Sequence, residues 1–133
     1  MRAVARRVEG YAHEVEVDGH HVVTDEPRES GGNDEGPSPT RLLTASLAAC
    51  TATTVEMYAD HKGWELGAVE VAAELVSAER DEPTRYTVDV RIPTALTDEQ
   101  VERIKAIAGK CPVHRTLTGQ VEIEDRVEAV SSS

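Results

Sequence analysis

Residues 38–63 read SPTRLLTASLAACTATTVEMYADHKG, and their punctuation predicts one long helix. Ser38 is a good N-cap because its hydroxyl can accept from an unpaired N–H of the first turn, and Pro39 suits the first helical position, where no N–H is needed. Neither proline nor glycine recurs until Gly63, a residue suited to ending a helix. Leu43, Leu47, Cys50, Thr54 and Tyr58 fall on one stripe, with Leu42, Ala45, Ala49 and Ala52 on an adjoining one. Apolar or small side chains thus surround most of the first half, and the front of the helix is expected at the centre of the molecule. The tail, EMYADHKGW, turns polar and is expected in solvent.

Strands flank this helix on both sides. Upstream, YAHEVEVDGHHVVTDEP alternates apolar and polar residues, with Val15 and Val17 before the Asp18-Gly19 pair and Val22 and Val23 after it, a strong hairpin signal. RAVARRVE adds a further strand, with Val4, Arg6 and Val8 on one face. Pro27 to Pro39, PRESGGNDEGPSP, is a long loop by composition, and such loops are functional or disordered.

Downstream, Val69, Val71, Ala73 and Leu75 alternate with polar residues, as do Tyr86, Val88, Val90 and Ile92, predicting a second hairpin joined by ERDEPT. LTDEQVERIKAIAG holds a capping box in Thr97 and Gln100 and a hydrophobic staple in Leu96 and Val101. Ile104, Ile107 and Ala108 complete its apolar stripe, and Gly109 ends it. A short helix PVHRTL and a last strand around Val121 and Ile123 follow, before a terminal SSS expected to be disordered. The expected class is α+β, with antiparallel strands around a long central helix in a single domain over residues 1–133.

The chain has 133 residues, enough for one hydrophobic core, but no Phe, one Trp and three Tyr, so Val, Leu, Ile and Ala must fill it. A core of small side chains is often completed by oligomerisation, and a homodimer is expected. Twenty-five acidic residues against 14 basic ones give a net charge of −11, which disfavours nucleic acid or an anionic membrane as partner. No apolar run reaches the roughly 18 residues of a spanning helix, and the start MRAVARRVEG lacks a signal peptide's apolar stretch, so the expected location is the cytoplasm. Two cysteines in a reducing cytosol do not make a disulfide framework, and without CxxC or Cys/His ligand spacing they do not read as a metal site. Redox or nucleophilic chemistry is the reading they leave.

GKCPVHRTL, Gly109 to Leu117, sharpens it. If Gly109 ends one helix and Pro112 starts the next, Cys111 is the N-cap of the short helix, where unpaired N–H groups and the positive end of the dipole favour a thiolate. Its pKa should then fall below the unperturbed value of about 8.5. Cys50, enclosed by small apolar groups inside its helix, would need a cation or a hydrogen-bond donor to do the same. Of the histidines, His20 and His21 face opposite sides of a strand, in reach of Glu14 and Glu16, and read as solvated or paired residues rather than metal ligands. His61 suits the C-terminal end of the long helix dipole. His114, one turn beyond Cys111, reads as a capping or packing residue, with a proton-shuttle role as the alternative.

GGNDEGPSPTRLLTASLAACTATTVEMYADHKGW (Gly31 to Trp64) and AGKCPVHRTL (Ala108 to Leu117) resemble the two signature blocks of the OsmC/Ohr superfamily, the osmotically induced and organic hydroperoxide resistance proteins. The order and spacing of elements extend the resemblance over nearly the whole chain. It implies an OsmC-like fold in an intertwined homodimer and a thiol peroxidase acting on organic hydroperoxides. In it Cys50 resembles the peroxidatic cysteine, which becomes a sulfenic acid, and Cys111 the resolving cysteine, which condenses with it to a disulfide. The resemblance implies no cofactor; an external dithiol, in family terms a lipoyl-bearing protein, reduces the disulfide.

Hydroperoxide-reducing members surround the attacking thiol with an arginine from the N-terminal strand region and a glutamate ten residues before it. Here Thr40 stands at the glutamate's position, and Ala12, His13 and Glu14 lie around the arginine's. His13 and Thr40 are therefore the supporting candidates, with Arg6 and Arg41 the cations otherwise available. The departure keeps a second function class open: a non-peroxidatic protein of the same fold that binds a small apolar or electrophilic ligand at the dimer interface.

Overall fold

The computed structural model describes residues 1–130; the terminal serines, expected to be disordered, lie outside the described residues. Strands β1 (Ala3–Glu9), β2 (Ala12–Val17) and β3 (His20–Thr24) form an antiparallel meander in chain order. The turn between β2 and β3 is the Asp18-Gly19 pair, with φ of 47° and 84°, and only such short or glycine residues take positive φ readily. Val15 sits opposite both Ala5 and Val22, so these three share one face. A bulge interrupts the ladder between Arg7 and Glu9, and Val8 within it is 67% exposed.

The connection to the long helix is ordered through a carboxylate. Asp25 is buried and accepts hydrogen bonds from the backbone N–H groups of Glu26 (2.8 Å), Asn33 (3.2 Å) and Glu35 (3.2 Å). The loop folds so tightly around it that a Cβ at Gly32 would collide with the Glu26 carbonyl and one at Gly36 with the Val23 carbonyl. The composition of a floppy segment thus hides a polar clamp, supplied by one residue from just outside it.

Helix α1 (Pro39–Lys62) starts on the Ser38 hydroxyl, which accepts from the Arg41 N–H, and ends at Gly63 in the left-handed conformation, φ 74°. It packs against a second, two-stranded antiparallel sheet of β4 (Glu70–Ser77) and β5 (Arg85–Arg91), chiefly through β4, and against helices α2 (Asp98–Ala108) and α3 (Pro112–Thr118). Both bonds of the α2 capping box are made, Gln100 N–H to the Thr97 hydroxyl (3.1 Å) and Thr97 N–H to the Gln100 side chain (2.9 Å). Gly109 ends α2 with right-handed backbone. The core is Val55, Ala59, Leu66 and Ile104, flanked by Trp64, Val69, Ile92, Leu96 and Ala108.

Three expectations are corrected. The buried stripe of α1 is Leu47, Thr51, Val55 and Ala59, next to the expected Leu47–Cys50–Thr54–Tyr58 line. Small residues all round the helix leave its orientation undetermined by pattern alone, and packing against β4, α2 and α3 selects the face. The rear half of the helix, not the front, carries the core: Val55 and Ala59 are sealed, whereas Leu43 remains 44% exposed. No strand forms around Val121 and Ile123, which are 60% and 79% exposed. Alternation becomes a strand only where an edge accepts its backbone bonds, and no described strand pairs with this segment.

Candidate active site

The two cysteines meet although they are remote in the chain. Gly109 closes α2 and Pro112 opens α3, leaving Cys111 as the N-cap of α3, with its Sγ accepting from the His114 N–H at 3.2 Å. The contact of α3 with α1 brings this sulfur against the helix carrying Cys50, and Cys50 is close enough to be among the groups that lower its pKa. Both cysteines are free thiols.

Cys111 is the helix cap the sequence suggests, and it is Cys50 whose expected depth is corrected. Cys111, at a helix start, has no exposed surface, whereas Cys50 is only half-buried. The reason is the one-position offset of the α1 stripe, which directs Thr51 inward and leaves Cys50 at the margin. Burial pushes the Cys111 thiol up, but hydrogen bonds from the His114 N–H, Cys50, Thr51 and the Val113 N–H outweigh it and hold it below its ordinary value. Of the two, Cys111 is thus the sulfur whose surroundings favour the thiolate.

Thr51, unremarked in the sequence, is 1% exposed, and its Oγ1 lies 3.8 Å from the Cys111 sulfur and 2.8 Å from the Leu47 carbonyl. A threonine among aliphatic neighbours at i±4 was the signal available for it. His114 contributes its backbone N–H as a cap, and its Nδ1 is buried with no hydrogen-bond partner among the described residues. Beside Thr51 and His114 opens a groove of about 640 Å³ between β5 and α2, floored by Val88, Val90, Ile92 and Ile104.

The supporting candidates lie elsewhere. Thr40 is exposed in the first turn of α1, and its Oγ1 is 3.4 Å from the Ser38 hydroxyl. His13 donates from Nδ1 to the Tyr11 carbonyl (3.0 Å) and lines a separate groove with Ala5, Val15, Leu42 and Leu43. Burial raises the pKa of the nearby Asp25 carboxyl, but the N–H groups of Glu35, Glu26 and Asn33, with His13 the smallest contributor, bring it below the ordinary value. Arg6 is exposed, paired across from Glu14, and Arg41 is exposed on α1. Among the described residues no cationic side chain hydrogen-bonds either sulfur. His21 pairs with Glu14 at 3.0 Å, as the strand spacing suggested.

The sequence model of the OsmC-like protein family matches residues 31–125. No curated protein matches the chain. Among solved structures, an organic hydroperoxide resistance protein of Legionella pneumophila is 26% identical, with 90% of each chain covered and a TM-score of 0.65. An OsmC-like protein of Mycoplasma pneumoniae is 20% identical over 89% of this chain and 86% of that one, with a TM-score of 0.69. The organic hydroperoxide resistance protein of Bacillus subtilis is 23% identical over 91% and 92%, with a TM-score of 0.59. These likenesses establish the architecture as that of the OsmC/Ohr fold.

Proposed function

The chain belongs to the OsmC-like protein family, and on that premise we propose that it reduces organic hydroperoxides with the Cys50–Cys111 thiol pair, as a homodimer. The observation that carries the reading is the placement of a partly accessible Cys50 beside a sealed Cys111 whose pKa is held below its ordinary value. A peroxide arriving from solvent meets Cys50 first, and the second nucleophile lies beside it.

The same contact offers a route around the missing arginine. The Cys50 proton passes to the neighbouring Cys111 sulfur, leaving a Cys50 thiolate. That thiolate attacks the distal peroxide oxygen; the O–O bond breaks, Cys50 becomes a sulfenic acid, and the alkoxide takes the proton back from Cys111 and leaves as alcohol. The restored Cys111 thiolate attacks the sulfenic sulfur and expels hydroxide, forming the disulfide, which an external dithiol reduces by thiol exchange, a lipoyl-bearing protein being the family-type donor. Sulfur supplies both electrons, and no cofactor is needed.

The test is stopped-flow reaction with cumene hydroperoxide. The wild type should lose both thiols and release the alcohol. Cys50→Ser should fall to the uncatalysed background, and Cys111→Ser, without the acceptor for the Cys50 proton, should react more slowly and stop after one turnover as a trappable sulfenic acid. A wild type that loses no thiol would sink the peroxidase and leave the ligand-binding reading, which the lack of a cation at Cys50 favours.

A further inference from the structure

Thr51 is an anomaly of the α1 core stripe. Leu47 precedes it and Val55 follows it at helical spacing, and valine would fill the same volume without burying a hydroxyl. The bond from Oγ1 back to the Leu47 carbonyl satisfies the hydroxyl but adds little to the helix, since that carbonyl already accepts from the backbone. Thr44, Ser46 and Thr53 bond back in the same way, but at exposed or half-buried positions where water is the alternative partner. Thr51 is fully buried, and the atom available to it instead is the Cys111 sulfur.

We infer that Thr51 is a positioning residue of the thiol site, its single hydroxyl proton moving between the Leu47 carbonyl and the Cys111 sulfur as that sulfur gains and loses charge. The inference rests on the thiol-pair reading for its purpose, but not for its geometry. Oγ1 stands 2.8 Å from the carbonyl and 3.8 Å from the sulfur, so rotation about the Cβ–Oγ1 bond redirects the proton without moving a heavy atom. A thiolate draws the proton, because hydrogen bonds to ions are roughly twice as strong as those between neutral groups. A neutral thiol or a disulfide sulfur is a poor acceptor, and the proton returns to Leu47. The hydroxyl thereby adjusts to every state of Cys111 in the cycle and never remains buried without an acceptor. The titratable neighbours of the sulfur are Cys50 on α1 and His114 on α3, with Lys110 preceding it in the chain; neither Thr51 nor the His114 N–H titrates itself.

The decisive measurement is the pH titration of thiolate ultraviolet absorbance on the whole protein, with Cys111→Ser identifying the step that belongs to Cys111. Thr51→Val should move that step up by about half to one pH unit and slow disulfide formation at neutral pH several-fold. Thr51→Ser, which keeps the hydroxyl, should restore the wild-type step. Thr51→Ala, hydroxyl-free and smaller, should shift as Thr51→Val does and guards against misfolding of either variant. An unmoved step in correctly folded Thr51→Val, or an equal shift in Thr51→Ser, overturns the inference. Because no peroxide enters the titration, a wild type inert to hydroperoxide would remove the proposed function while leaving this result to stand or fall alone.

Discussion

The two halves of this chain are held by different forces. From α1 onward, Val55, Ala59, Leu66 and Ile104 are sealed against one another, and the region is held by apolar packing. Before α1, the buried positions are Ala12, Thr24, Asp25, Gly32 and Ser38, nearly all polar or featureless, and the loop is held by backbone N–H groups converging on one carboxylate. The thiol pair is built by the first kind of region, while the second supplies the sheet and delivers the chain to the start of α1. Packing fixes sulfur positions firmly because cavities are costly, whereas a carboxylate clamp can be released by a proton.

The largest expected effect is on the apolar side. Ile104→Ala should lower unfolding free energy by about 3 kcal/mol in chemical denaturation, because a side chain only 5% exposed leaves a cavity behind. On the polar side, Asp25→Ala should speed hydrogen exchange at the Glu26, Asn33 and Glu35 amides about tenfold while the amides around Val55 stay protected. Equal acceleration in both places would dissolve the distinction. Acid should sharpen it. The Asp25 carboxyl has a folded-state pKa below its ordinary value, so its contribution is complete above the ordinary carboxylate range and is lost as pH falls through the folded value. Exchange in the loop should therefore rise at a higher pH than exchange in the core. The smallest effect is expected for Thr97→Ala, about 1 kcal/mol from loss of the α2 cap.

Features governed by short-range chemistry were readable in advance. Asp18-Gly19, the Ser38 and Thr97 caps, the Gly63 stop and the cap role of Cys111 each depend on a few neighbouring residues, and the structure realises them. What failed depended on contacts across the chain. The register of the α1 stripe was set by β4, α2 and α3 rather than by its own residues, which is why Thr51 was missed and Cys50 was placed too deep. Asp25 went unnoticed because its partners are backbone amides, which carry no sequence signature. Val121 and Ile123 alternate correctly but lack a partner strand.

Cys111 does two jobs with one atom, since the sulfur accepting the His114 N–H at the start of α3 is also one that oxidation would alter. A charged sulfur completes the electrostatics of that helix end, and a sulfur bonded to another sulfur does not. Were the proposed disulfide to form, the opening turn of α3 would trade an anionic acceptor at its His114 N–H for a neutral one, tying that helix end to the state of the sulfur.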